Sequence, residues 1–89
     1  MKFTIIGDWY SVPDLASSFA VVADGKDFEE AKANAAHAVL EAYPHRAEEG
    51  YEETPETLWG GDNGAYVVAA FFGDLSVHAV STDDFVLIT

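Results

Sequence analysis

The chain has 89 residues and no cysteine, and its 16 Asp and Glu against 4 Lys and Arg give a formal charge of −12 at pH 7. That length suits one domain with a modest core, and the missing thiols exclude disulfides, thiol catalysis and thiolate metal sites. A field of this sign repels nucleic acid and anionic membrane, which leaves a basic protein partner or plain solubility as its use.

The composition is 49% hydrophobic, too apolar for wholesale disorder. Met1–Ile6 is too short for a signal-peptide core and no apolar run reaches bilayer length, so a cytoplasmic protein is expected. Lys2–Ile6 alternates and is β-branched, which predicts a strand with Phe3 and Ile5 on one face, closed by Gly7 and Asp8. Trp9–Ser18, with Pro13 and Asp14 as turn formers, reads as a loop, and Phe19–Ala23 as a second strand turning at Asp24-Gly25.

Asp27–Tyr43 carries the clearest period in the chain. Phe28, Ala31, Ala35, Ala38, Val39 and Ala42 fall on one helical stripe, while Glu30, Asn34, His37 and Glu41 fall on the opposite one. Asp27 with Glu30 three residues on forms an aspartate version of the capping box, and Pro44 stops the helix. His45–Gly64 has no period and reads as a long loop, a length that in compact domains is commonly functional or mobile. Tyr66–Phe72 is apolar on both faces and predicts a central strand. Gly73-Asp74 suits a hairpin turn into a strand over Leu75–Ser81, and Thr82–Asp84 turns again into a strand over Phe85–Ile88. The expected fold is therefore α+β, a single domain with one helix packed on an antiparallel sheet. Its order is β-β-α-β-β-β, the last three strands forming a meander.

Catalytic chemistry finds little support. His37, His45 and His78 stand beside no nucleophile motif, and the His37, Glu41, His45 spacing that would align metal ligands on a helix is broken by Pro44. No metal and no cofactor is expected. Trp59–Gly64, WGGDNG, lacks the lysine and spacing of a phosphate loop and the carboxylate ladder of a calcium loop, so it reads as a turn.

What remains is acidic and aromatic. Asp24, Asp27, Glu29 and Glu30 cluster at the helix start, and Glu48, Glu49, Glu52, Glu53 and Glu56 cluster in the long loop around Tyr51 and ahead of Trp59. Carboxylate rows can stand in for phosphates, because a nucleic-acid-binding protein presents Lys and Arg that any suitably spaced anion neutralises. Tyr51 and Trp59 would supply the apolar anchors; the other expectation is a solvated loop in which Tyr51 and Trp59 cover the sheet.

VPDL at Val12–Leu15, followed by Gly25 and the helix DFEEAKANAAHAVLEAY, resembles the pattern of HicB-type antitoxins over residues 12–43. In type, a small, acidic, cysteine-free chain of this kind is similar to the anti-CRISPR and anti-restriction inhibitors of phages. Both resemblances imply a protein that blocks a nucleic-acid-handling partner. The expectation is thus a non-enzymatic inhibitor occupying the basic nucleic-acid-binding surface of a CRISPR or restriction nuclease or a toxin, with no direct nucleic-acid or membrane contact. The alternative is an assembly module that oligomerises through sheet edges, homodimers included, and is acidic only for solubility; Trp9, Tyr10 and Phe85–Ile88 would then matter more.

Overall fold

A computed structural model of the chain describes residues 1–10, 18–48, 52–60, 64–75 and 85–88. Strands β1 (Lys2–Trp9) and β2 (Ser18–Asp24) precede helix α1 (Phe28–Ala42), a 3₁₀ turn spans Pro44–Ala47, and strands β3 (Ala65–Phe72) and β4 (Phe85–Ile88) follow. The four strands form one sheet in the order β3-β1-β2-β4, with α1 on one face. The class is α+β, as the periodicities predict.

Helix α1 begins where its cap chemistry places it. Asp27 Oδ1 accepts the Glu30 N–H at 2.9 Å, and Glu30 Oε1 reaches back to the Lys26 N–H at 3.0 Å. With the Ala31 N–H on Asp27 O, this gives Glu30 and Ala31 of the first turn their partners. The buried stripe is Ala31, Ala35, Ala36 and Val39. Small side chains let the helix lie close on Phe3, Ile5, Phe19 and Val21, which form the core with them. Ala42, at the end of the expected stripe, is exposed.

Three departures from expectation fix the surface. First, β1 does not stop at Ile6. It runs on to Trp9, which is buried in the core and not in a loop. Gly7 is in mid-strand because a Cβ there would meet Phe19 Cζ at 2.6 Å, so its role is close approach and not a turn. Second, β3 lies at one edge of the four-strand order instead of its centre, antiparallel to β1. Its pairing shifts between Ile6 and Gly7, where Val68 is the extra residue of a bulge. Because the shift resets the alternation, Ala65 and Val67 share the helix face with Ala70 and Phe72. Third, β4 pairs with β2 in parallel and sits at the opposite edge, so the sheet is mixed and β4 does not continue a meander from β3. The expected strand over Leu75–Ser81 begins at Leu75, which is described outside any strand; its remaining residues lie outside the described ones.

Candidate functional site: an apolar sheet edge and a folded acidic loop

The acidic residues do not form one row. Asp27, Glu29 and Glu30 are exposed at the start of α1, where Asp27 and Glu30 are already engaged in capping. Glu48, Glu52 and Glu56 are exposed in the segment that follows α1, which returns along the helix far enough for the Trp59 indole to reach Lys32 O. Glu49 and Tyr51 lie outside the described residues, as does the VPDL run at Val12–Leu15.

Glu53 departs from the expected solvated loop. It is 6% exposed, its N–H donates to Arg46 O at 2.9 Å, and its Oε2 accepts from Thr57 Oγ1 at 2.6 Å. The reversal that turns it inward passes through Glu52 at φ 57, in the left-handed region that non-glycine residues seldom adopt. Trp59 is half-buried against Phe19, with ring centroids 6.0 Å apart, and its indole N–H donates to Lys32 O on α1 at 2.9 Å. It closes the core at this point, and its polar edge is spent within the fold.

Arg46, carried inward by the 3₁₀ turn, is the largest fully buried side chain of the described residues. Its guanidinium carbon stacks 4.4 Å from the Trp9 ring centroid, a cation–π contact in a desolvated place. Tyr43 meets Trp9 edge-on at 5.1 Å. Burial pushes the Tyr43 phenol above its ordinary value, and the Arg46 charge pulls it partly back. Neither Trp9 Nε1 nor the Tyr43 hydroxyl has a hydrogen-bond partner among the described residues. Of the metal spacing noted above, His37 and Glu41 stay on α1 while His45 leaves it in the 3₁₀ turn. Among the described residues no three His, Asp or Glu side chains converge as a metal site.

The surface that sequence reasoning missed is β3. Phe72 is 77% exposed, Val68 58% and Phe71 45%. Phe3, Phe28, Ala70, Phe71 and Phe72 line an open apolar cleft, with the Phe3 and Phe72 rings 5.1 Å apart. At the other end of β3, a second cleft is lined by Lys32, Trp59, Ala65 and Val67 with Tyr10 and Tyr66. A signal for this was present in the sequence: an apolar strand needs cover on both faces to be central, and one predicted helix covers one face.

The chain matches no protein-family model, and no curated protein and no solved structure matches it. Among the described residues no helix is long and apolar enough to cross a membrane.

Proposed function

We propose that this chain is a non-enzymatic cytoplasmic protein-binding module that takes its partner on the β3 side of the sheet. The observation that carries the reading is Phe72, 77% exposed at the end of a strand that also exposes Phe71 and Val68. Leaving large apolar side chains in water is unfavourable, and where they gather on folded domains they mark places that another protein covers. The cleft beside Phe3 and Phe28 provides the depth that an apolar anchor needs.

The inhibitor reading, in which the chain occupies the basic nucleic-acid-binding surface of a defence nuclease or toxin, is kept as the second proposal. It is favoured by the exposure of Glu48, Glu52 and Glu56 on a chain of charge −12. Glu53 and Trp59 would serve it by shaping the loop and not by contact, with Glu29 as the uncommitted carboxylate of the helix start.

One experiment separates the two. The tagged protein captures partners from a lysate at low and high salt, beside Phe72→Ser and a triple Glu48→Lys, Glu52→Lys, Glu56→Lys variant. The β3 reading expects Phe72→Ser to lose the partner at both salt concentrations and the triple variant to keep it. Loss by the triple variant alone, with capture fading at high salt, would install the acidic reading instead.

A further inference from the structure

We infer that the cleft beside Phe72 takes a protein segment in which a bulky apolar side chain is flanked by Lys or Arg; the inference rests on the β3 reading above. Shape selects a side chain as the occupant, and charge selects its neighbours.

The cleft exists because the helix is laid off-centre on the sheet. Helix α1 packs mainly on β2 and next on β1, while β3 stands on the far side of β1. Between the start of α1 and the end of β3, Phe3 forms the floor. Its ring centroid lies 6.0 Å from that of Phe28 on the helix and 5.1 Å from that of Phe72 on the strand. Ala70 and Phe71 complete the lining, and the open volume is about 240 Å³. That is below the roughly 300–1,000 Å³ of pockets that enclose a small molecule, and such pockets also place a few polar groups to orient their ligand. No side chain lining this cleft has a polar atom. A cleft of this size and chemistry suits one or two apolar side chains carried by a polypeptide.

The rim is acidic. Phe28 lies between Asp27 and Glu29 in the chain, Phe72 is followed by Gly73 and Asp74, and all three acidic residues are exposed. Of the chain's four basic residues, Lys2 is paired with Asp24 at 3.1 Å, Arg46 is buried beside Trp9, and Lys32 lines the other cleft. Lys26 and the Met1 amine are the cations left at this end, against Asp27, Glu29, Glu30 and Asp74. The local balance is therefore negative, on a chain of net charge −12. Lys or Arg beside the inserted side chain meets these carboxylates at the rim, whereas a second copy of this chain brings mostly like charge to it.

Chemical-shift titrations of the isotope-labelled chain with three synthetic peptides test the inference. Each carries the core Leu-Phe-Leu, flanked on both sides by lysine, by glutamine or by glutamate. The lysine-flanked peptide is expected to shift the resonances of Phe28, Ala70 and Phe72 and to bind about fivefold more tightly than the glutamine-flanked one, the range of exposed ion pairs. The glutamate-flanked peptide should bind most weakly, and added salt should narrow these differences. Phe72→Ser should weaken the lysine-flanked and glutamine-flanked peptides alike, by at least about tenfold, the effect of losing an apolar anchor. Glu29→Gln, outside the cap contacts of Asp27 and Glu30, should reduce the preference for lysine and leave the glutamine-flanked peptide unchanged.

Equal affinity for the lysine-flanked and glutamine-flanked peptides, or a preference for glutamate, overturns the inference; shifts that still fall on Phe28, Ala70 and Phe72 then leave the β3 reading standing. Shifts confined to Glu48, Glu52 and Glu56 overturn both in favour of the acidic reading. Shifts of the cleft residues on concentrating the chain alone make a second copy the occupant and overturn the inference. No shift with any peptide at millimolar concentration overturns it as well, and the β3 reading is then decided by the Phe72→Ser capture experiment.

Discussion

Two regions of this molecule invert the usual placement of residues in opposite senses. Around Trp9 the fold draws charge inward: Arg46 is fully buried on an aromatic ring and Glu53 is nearly so. Along β3 it leaves apolar side chains in water, Phe72 above all. For the first inversion the described residues show contacts within the chain, the ring stacking of Arg46 and the Thr57 and backbone contacts of Glu53. The second has no counterpart within the described residues. A buried charge with partners is a structural feature of one chain, whereas an apolar edge without cover points to another.

The contrast can be broken most sharply at Arg46. Arg46→Ala should lower stability by about 3 kcal/mol, because it opens a cavity under Trp9 and removes the cation–π contact. Phe72→Ser should change monomer stability by no more than about 0.5 kcal/mol, the usual range for an exposed position. Urea unfolding of the two variants side by side measures the difference; equal losses would mean that Phe72 belongs to the core and that β3 needs no partner. Gly7→Ala comes next at about 2 kcal/mol, since its new methyl overpacks against Phe19 and must move the ring or β1. A melting temperature as in the wild type would show that this core has slack.

The smallest effect is at Tyr43, and it depends on pH. The folded chain holds the phenolic proton more tightly than the unfolded one does. The associated stability is therefore fully present below the unfolded value of about 10 and is lost as pH rises through the raised folded value. Tyr43→Phe should stay within about 0.5 kcal/mol of wild type at neutral pH, having no described hydroxyl partner to lose, and should lose less than wild type when made strongly alkaline. Denaturation midpoints at the two pH values check this. Parallel losses in both proteins would assign the alkaline effect to other groups.

Helix α1 was legible to within a residue at each end, because its signals are local: a capping carboxylate, a 3.6-residue period and a proline stop all act within a turn or two of chain. The positions of β2 and β4 were legible for the same reason. Trp9 and Gly7 were not, because a glycine followed by aspartate reads as a turn, and only the approach of Phe19 explains a missing Cβ in mid-strand. Nor could the loop glutamates be sorted. Glu52 and Glu53 are chemically alike neighbours, and the reversal at Glu52 sends one outward and the other beneath Thr57.

By itself, then, the sequence determined the α+β class, helix α1 with its cap, the positions of β2 and β4 and the acidic charge, since these follow from periodicity and composition. The tertiary structure alone decided that β3 stands at one end of the described strand order, that β4 runs parallel to β2 at the other, and that Arg46 lies inside. An apolar segment specifies that it avoids water, not which neighbour will cover it. That choice is made by strand order, by the Val68 bulge and by one helix that is wide enough for one face of the sheet.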